Sequence, residues 1–333
     1  QETGLTFADD GTGIGSSVTC SQDMWDGKTV SSMNVMSYVG AHLSTEDKVA
    51  NDSINAVYCA FAQILSGHFD IVLVVSHCKE SQADRSIIEN TAFDPIFLRV
   101  LGLDFLTAAA LQARRYMYKY GVAAEQFAKV AVKNRGNAKN NHFAQEPLDI
   151  TVEDVLRSKM LVDPIRLLDT KPTSDGACAM ILAREDRARK LTSKPIWILG
   201  MSNCYEGHYL GDRDLAGCDA LVSAARRAYA MAGITAPLKE IDLAEISEEY
   251  SYQELLWMEG LGFCGRGEAG KLVDAGVTQM GGQLPVNPSG GMLSGNPTVV
   301  AGMARVAEAV LQLREEAGDR QVPGASVALA HGV

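Results

Sequence analysis

The chain has 333 residues, of which 47% are hydrophobic and 21% charged, and its 41 acidic and 30 basic residues give a formal net charge of −11. This composition excludes a disordered chain, because the apolar fraction is sufficient for a large core. The acidic excess argues against binding to nucleic acid or to an anionic membrane surface, since both bind clustered Lys and Arg. No apolar run reaches the roughly 18 residues that a membrane span needs.

The seven cysteines argue against both a disulfide framework and a zinc-binding ribbon within this chain. Their number is odd, and no C-x-x-C pair occurs. We therefore expect reduced thiols, no metal site and a cytoplasmic location, in line with the lack of a recognisable signal peptide.

The N-terminal part of the sequence predicts alternating helices and buried strands. A short apolar strand is expected at 17–20 and a helix at 50–65, where apolar and small residues recur at helical spacing. Ser66 and Gly67 are typical of a helix C-terminus. The run IVLVV at 71–75 is unbroken and rich in β-branched residues, which favours a strand buried on both faces of a sheet. This order of elements indicates an α/β fold.

A segment of different character, from about residue 79 to 165, is interpreted as a mostly helical insertion laid over the sheet. Helices are expected at 103–120 and 126–135, and a polar loop at 134–147. After the insertion, SDGACAMILA at 174–183 predicts a turn followed by another buried strand, so the chain returns to the sheet.

The C-terminal part repeats the same alternation of helix, turn, buried strand and glycine-rich loop. We therefore divide the chain into two similar halves, residues 1–185, which include the insertion, and residues 186–333. Further elements are expected in the second half at 196–200 (strand), 216–232 (helix), 241–246 (strand), 251–261 (helix), 298–313 (helix) and 327–330 (strand).

The segment LPVNPSGGMLSGNPTVVAG at 284–302 resembles the glycine-rich C-terminal signature of the thiolase superfamily, in particular its sterol-carrier-protein and archaeal branch. Five further stretches resemble the same family in the same order: SGHFDIVLVV at 66–75, SDGACAMILA at 174–183, AYAMAGI at 228–234, AEISEEYSYQELLWMEGLGFCGRGEAG at 244–270 and AGDRQVPGA at 317–325. The resemblance implies an α/β protein with the thiolase-like five-layer αβαβα sandwich of two similar halves, assembled on a homodimer core. It also implies a strand before residue 1 and a final strand pair after residue 333.

The motifs that carry thiolase chemistry are altered in this sequence. The chemistry needs a thiolate at a helix N-terminus, a His base and donors for the thioester oxyanion. The family spacing places the Cys 17 positions before Gly67, where Ala50 stands, and a shorter alignment places Ser53 there. The family's G-H-P tripeptide contains Asn296 in place of His, and its H-D-x-F or N-E-A-F motif begins with Ser247. We retain Asn296 and Ser247 as candidate catalytic residues, although Asn cannot accept a proton at neutral pH.

Two further groups are candidates for catalysis. Tyr250, with Glu248 and Glu249 before it, offers acid–base groups for a retro-aldol cleavage, which needs no thiolate. The alternative is a solvated acidic turn. Cys78 follows His77 near the end of the buried strand, where α/β proteins commonly place their sites. The alternative is an unreactive loop thiol, because neighbours on a strand point to opposite faces.

The predicted ligand-binding residues lie in two loops. Asn287, Ser289, Gly290 and Gly291 form a glycine-rich turn whose backbone N–H groups suit an acyl or pantetheine group. His208 lies in the polar loop NCYEGHYLGDRD, which in the family often lines the acyl pocket. The alternatives are a purely structural turn and a surface loop. We expect coenzyme A as substrate or product, and no covalently bound cofactor.

The resemblance implies a thiolase-like subunit that cleaves or forms a carbon–carbon bond in an acyl-CoA, by thiolysis or by retro-aldol chemistry. It further implies a hetero-oligomer with a small OB-fold, zinc-ribbon protein, in lipid or aromatic degradation, with the insertion covering the acyl pocket and the partner surface. The alternative is a non-catalytic thiolase-fold scaffold or regulatory subunit, which the missing Cys and His favour. The retained glycine-rich loop favours the enzyme.

Overall fold

The fold is that of a computed structural model, which describes residues 3–8, 12–207, 209–295 and 297–333. Its strands are β1 (Ser16–Cys20), β2 (Thr45–Val49), β3 (Ile71–Lys79), β4 (Met160–Val162), β5 (Ile165–Arg166), β6 (Asp175–Ala183), β7 (Leu243–Glu245) and β8 (Ala328–Ala330). Its α-helices are α1 (Asp23–Asp26), α2 (Met33–Met36), α3 (Ile54–Leu65), α4 (Arg85–Thr91), α5 (Phe105–Tyr120), α6 (Ala124–Asn137), α7 (Val152–Arg157), α8 (Glu185–Leu191), α9 (Asp219–Ala232), α10 (Pro237–Glu240), α11 (Ser251–Gly260), α12 (Ala269–Asp274) and α13 (Ala301–Arg314). No described helix is both long and apolar enough to cross a membrane.

The larger sheet contains four strands in the order β2–β1–β3–β6. Strand β1 runs parallel to both β2 and β3, and β6 runs antiparallel to β3. Val18 of β1 and Val72 and Val74 of β3 are completely buried, as expected for strands that are covered on both faces. The three strands predicted in the first half are therefore confirmed as β1, β3 and β6.

Helices α3 and α13 pack against each other and contact strands of two different sheets. Helix α3 contacts β1 and β3 of the larger sheet, and α13 contacts both β6 and the small parallel sheet β7–β8. Ala56, Val57 and Ala60 of α3 are buried in the cluster that also contains Val18 and Met303. Small side chains at these positions permit close approach of helix and sheet. The predicted α/β class is confirmed. Within the described residues, the sheet of the C-terminal half contains only the two strands β7 and β8.

The insertion packs on the C-terminal half, whereas the sequence interpretation laid it over the sheet. Its two predicted helices are confirmed as α5 and α6, and α6 contacts α11 and α12. Tyr116 of α5, Phe127 of α6 and Leu255 of α11 belong to one buried hydrophobic cluster. Buried aromatic residues contribute large apolar areas to such a core. The insertion therefore shares its core with the second half of the chain.

Two local predictions differ from the structure. Residues 45–49 form the edge strand β2 despite the charged sequence TEDKV, so helix α3 begins at Ile54 rather than at residue 50. An edge strand tolerates charges because one of its sides is not covered by another strand. The strand expected at 196–200 is not formed, since this segment pairs with no described strand, and Trp197 and Leu199 are exposed. The division between residues 185 and 186 stays a prediction.

Candidate functional site

The glycine-rich loop between residues 287 and 295 is buried and has an unusual backbone. Asn287, Gly290, Gly291 and Gly295 all have positive φ angles, of 54°, 96°, 64° and 106°. A Cβ atom at position 291 would overlap the Glu248 carboxylate, so both the backbone conformation and the space require glycine there. The structure thus brings the predicted Asn287, Gly290 and Gly291 together on one rigid turn.

Ser289 of this loop is bound by a buried ion pair. Its backbone N–H and its hydroxyl donate to the Glu245 carboxylate at 2.9 and 2.7 Å. Arg305 of α13 forms a salt bridge with Glu245 at 3.0 Å and also donates to the Ser289 hydroxyl at 3.0 Å. Burial raises the pKa of Glu245 to about 6, and the Arg305 charge opposes that rise. The Ser289 side chain therefore anchors the loop to α13.

The remaining polar groups of the turn are also used within the protein. The Asn287 amide donates to both Glu248 and Glu254 at 3.0 Å, and its oxygen accepts a hydrogen bond from the backbone N–H of Ile246, just after strand β7, at 2.7 Å. The backbone N–H of Gly290 donates to the Asn287 carbonyl at 2.9 Å, and that of Gly291 to the Ser289 hydroxyl at 3.2 Å. In this conformation these polar groups bond to other protein groups. The predicted contacts of the turn with a ligand stay a prediction.

The two candidates in the Ser247–Tyr250 motif have different surroundings. The Ser247 hydroxyl is buried and donates to the backbone carbonyl of His331 at 2.9 Å. The Tyr250 side chain lies in the core, and its hydroxyl has no hydrogen-bond partner among the described residues. Burial raises the pKa of Tyr250 well above its usual range, and the nearby carboxylates of Glu249 and Glu89 raise it further. Tyr250 therefore carries a neutral hydroxyl that is free to donate.

Asp52, which the sequence interpretation missed, occupies the N-terminus of helix α3. Its carboxylate accepts hydrogen bonds from the backbone N–H groups of Ile54, at 2.7 Å, and Gly302, at 3.1 Å. The neighbouring Ser53 hydroxyl accepts from the N–H of Met303 at 2.9 Å. The N-termini of α3 and α13 thus converge on one buried carboxylate, where their partial positive charges stabilise an anion. Burial nevertheless raises the pKa of Asp52 to about 7.

The sequence contains a signal for the contact of Asp52 with helix α3 but none for its contact with Gly302. Asp just before a helix is a common N-terminal residue, because its carboxylate accepts from the first free N–H groups. The second donor, Gly302, is 250 positions away and became visible only in the tertiary structure. Ala50, at the position that the family spacing assigns to the nucleophile, carries no reactive group.

Cys78 lies in the hydrophobic core on strand β3 and is 1% exposed. Burial raises the pKa of its thiol to about 12, and the Glu80 and Asp26 charges act in the same direction. His77 beside it contacts Asp26 at 3.3 Å. The charge of Lys171 lowers the pKa of Cys78, but burial and the neighbouring carboxylates outweigh it, so the thiol is poorly ionised and a reactive Cys78 is disfavoured. The other two predicted site residues, Asn296 and His208, lie outside the described residues.

A second buried ion pair holds the chain just after the position of the altered G-H-P motif. Lys171 lies 2.8 Å from both carboxylate oxygens of Glu80, and both side chains are completely buried. The backbone N–H of Thr298 donates to Glu80 at 2.8 Å, and its hydroxyl donates to Glu249 at 2.6 Å. Two carboxylates from distant segments therefore fix Thr298 at the start of the turn that leads into α13.

The chemistry available at the site follows from these contacts. The buried carboxylates of Glu245 and Glu248 lie against the glycine-rich loop, and Asp52 lies where the N-termini of α3 and α13 converge. The buried Cys20 thiol of β1 donates to the backbone carbonyl of Asn51, just before α3, at 3.0 Å, and burial raises its pKa to about 12. The described residues contain no group of three or more His, Cys, Asp or Glu side chains that could hold a metal ion. The carboxylates of this site can transfer protons. Its one described thiol near the start of α3, that of Cys20, is poorly ionised and therefore a weak nucleophile for acyl transfer.

The layered α/β fold, with a glycine-rich loop that leads into a central helix, defines a thiolase-like protein. The family model described as "Thiolase C-terminal domain-like" matches residues 202–333. The acetyl-CoA acetyltransferase of Methanothermobacter thermautotrophicus is 42% identical over 273 residues, which are 81% of this chain and 71% of that protein. The chain belongs to the thiolase superfamily.

Further relatives and solved structures agree with this family. Sterol carrier protein 2 of Oryctolagus cuniculus is 39% identical over 66% of this chain, which spans only 41% of that protein. The solved structure described as "Ltp2-ChsH2(DUF35) aldolase" is 27% identical, with a TM-score of 0.82 over 95% of this chain and 82% of its own. A monomeric SCP2-thiolase-like protein of Mycobacterium smegmatis, 18% identical, has a TM-score of 0.69 over 97% of this chain and 65% of its own. The predicted thiolase-like fold is thereby confirmed.

Proposed function

We propose that the chain is a subunit that acts on an acyl-CoA and cleaves, or forms, a carbon–carbon bond by retro-aldol chemistry rather than by thiolysis. The observation that carries this proposal is Asp52. The N-terminus of α3, where the family resemblance places a nucleophilic thiol, is occupied by a buried carboxylate that accepts two backbone hydrogen bonds. Thiolysis requires a thiolate nucleophile, whereas retro-aldol cleavage does not. The similar Ltp2-ChsH2(DUF35) structure is described as an aldolase, which supports the same choice.

The reaction requires a base and an acid but no redox partner. A base removes the proton of the 3-hydroxyl group, the bond between C2 and C3 breaks, and its electron pair forms the thioester enolate. Protonation of the enolate at C2 then gives a shortened acyl-CoA beside an aldehyde or ketone. Glu249 is the candidate base, and the neutral hydroxyl of Tyr250 is the candidate acid. Ser247 and Asn296 remain candidates for binding the thioester oxygen.

Coenzyme A is the proposed substrate carrier, and the glycine-rich turn is its proposed binding surface. Because the polar groups of this turn bind other protein groups, its part in binding is to shape the site for the acyl or pantetheine chain. The proposed substrates are branched or aromatic 3-hydroxyacyl-CoA thioesters from lipid or aromatic degradation, processed in the cytoplasm.

The proposed assembly is a homodimer core that binds a small OB-fold, zinc-ribbon protein. The solved structure that shares 27% identity with this chain is named for Ltp2 together with ChsH2(DUF35), which supports a second kind of subunit. A shared site between two kinds of subunit would also explain why this chain retains the loop but lacks the usual Cys and His.

A second candidate function is a non-catalytic scaffold or regulatory subunit. The observation that favours it is again the N-terminus of α3, where the Asp52 carboxylate stands in place of a thiol. In addition, the polar side chains of the glycine-rich loop form hydrogen bonds within the protein. A scaffold requires the fold and its contact surfaces, and it requires no free catalytic group.

The two functions are separated by an assay of the purified chain with and without its OB-fold partner. A 3-hydroxyacyl-CoA and a 3-oxoacyl-CoA are each incubated in the presence and absence of free CoA, and the products are identified by mass spectrometry. Retro-aldol cleavage gives a carbonyl compound without free CoA, whereas thiolysis of a 3-oxoacyl-CoA requires it. Absence of both products, with no acyl-CoA binding by calorimetry, would refute the enzyme and leave the scaffold.

A further inference from the structure

Four buried side chains from separate parts of the chain meet beneath the glycine-rich loop. Asn134 of α6 donates to Glu248 and Glu254, both at 2.8 Å. Asn287 of the loop donates to the same two carboxylates, both at 3.0 Å. We name these four residues the amide–carboxylate cluster. An amide nitrogen carries two hydrogens, so each Asn can serve both carboxylates at once.

Glu248 is the member of the cluster that touches the loop most closely. Besides the Asn287 amide, it lies directly beneath Gly291, where any Cβ atom would overlap its carboxylate. The backbone N–H of Leu293 points at the same carboxylate from 3.5 Å. One carboxyl group therefore supports the loop at its beginning, its middle and its end.

The charges around Glu248 do not balance. The cluster contains two completely buried carboxylates, and the cations near it form their salt bridges with other groups: Lys133 with Glu254 at 3.1 Å and Arg305 with Glu245 at 3.0 Å. No lysine or arginine of the described residues forms a salt bridge with Glu248. An unpaired buried charge is strongly unfavourable, so the neutral form of Glu248 is preferred in the folded protein.

We propose that Asn134 and Glu248 are positioning residues for the glycine-rich loop, and that opening of the loop is coupled to release of a proton from Glu248. Asn134 thereby links the insertion to a loop about 150 positions away, beside Asn137 and Asn141, whose amides donate to the Asn287 and Ser289 carbonyls at 3.0 and 2.9 Å. This proposal depends only on the contacts of the cluster, and it holds whether the chain is an enzyme or a scaffold.

The pKa of Glu248 is raised, which agrees with a neutral carboxyl in the folded protein. Burial and the charge of Glu254 raise its pKa to about 8, against the opposing charges of Arg305 and Lys133. A carboxyl whose pKa is higher in the closed loop than in the open one favours opening as the pH increases. The pH-dependent increase in opening is complete once the pH exceeds the pKa of Glu248 in the closed loop.

The test is hydrogen–deuterium exchange of the full chain at pH 7 and pH 8, corrected for the intrinsic pH dependence of amide exchange. For a closed-state pKa near 8, opening of residues 287–295 is expected to increase about fivefold between these pH values. E248Q cannot ionise, and its pH dependence is expected to fall below about twofold. Glu245, with a pKa of about 6, adds little in this window.

Two further variants make the test specific. N134L removes both amide donors, and it is expected to increase exchange of residues 287–295 at both pH values while helix α5 keeps its protection. E259Q changes another buried carboxylate, which accepts a hydrogen bond from Tyr116 of α5 and not from the cluster, and it should retain the wild-type pH dependence. An unchanged pH dependence in E248Q, or none in the wild type, would overturn the proposal. The E248Q comparison remains decisive if N134L does not fold.

Discussion

The carboxylate of Asp52 accepts a hydrogen bond from the backbone N–H of Gly302 at 3.1 Å, although 250 positions separate the two residues. A Cβ atom at position 302 would overlap this carboxylate and would lie 2.7 Å from the Cβ of Ile54. Helix α13 can therefore approach α3 this closely only because residue 302 is glycine. The contact joins the two central helices at their N-termini.

The close approach at Gly302 predicts that G302A is strongly destabilising. An added methyl group with no space costs roughly 1–3 kcal/mol or more of the free energy of unfolding, measured by urea denaturation. The matched control is G136A in helix α6, where a Cβ meets nothing within 4 Å. There, alanine is expected to stabilise by up to about 1 kcal/mol. Equal stability of G302A and the wild type would show that the helices can separate without cost.

The raised pKa of Asp52 predicts a defined pH dependence of stability. The pKa of this carboxyl is about 7 in the folded chain against 3.8 as its ordinary value, so folding takes up a proton between these values. The stabilising contribution is complete below the ordinary value and is lost as the pH rises through 7. Urea denaturation from pH 4 to 8 should therefore show a smaller decline in unfolding free energy for D52N than for the wild type. A parallel decline in both would contradict this assignment.

The buried pair of Lys171 and Glu80 predicts that loss of the lysine alone destabilises the protein more than replacement of both residues. K171M leaves the Glu80 carboxylate buried without its cation and is expected to lose about 3–5 kcal/mol of unfolding free energy. Adding E80Q should recover part of that loss. The control is the exposed helical pair Arg189 and Glu185, whose removal should change stability by less than about 0.5 kcal/mol. A double-mutant cycle for each pair provides the comparison.

Removal of the Tyr250 hydroxyl in Y250F is expected to affect activity but not stability. Because its buried hydroxyl has no partner among the described residues, Y250F removes an unsatisfied polar group and should leave stability within about 1 kcal/mol of the wild type, or increase it. If Tyr250 is the proposed acid, the same variant loses carbonyl-product formation by about 100-fold or more. Large destabilisation would indicate a hydroxyl partner, and full activity would exclude Tyr250 from the reaction.

The elements that the sequence predicted well are those with a strong local pattern. Strands β1, β3 and β6 and helices α5, α6, α9, α11 and α13 follow from apolar periodicity, because each buries one face or both. Strand β2 was missed because its TEDKV sequence carries charges at a sheet edge. The apolar segment 196–200 was predicted as a strand but lacks a described partner strand, since a strand forms only when another backbone can accept and donate its hydrogen bonds.

The sequence by itself determined the family, the α/β class and the position of the glycine-rich loop, since motifs and periodicity are local properties of the chain. The tertiary structure alone decided what surrounds that loop: Asp52 at the start of α3, and Asn134 against Glu248. These contacts join residues 250 and 114 positions apart. A buried carboxylate acquires its partners and its altered pKa only when distant segments exclude water from it, and no spacing of residues along the chain records that.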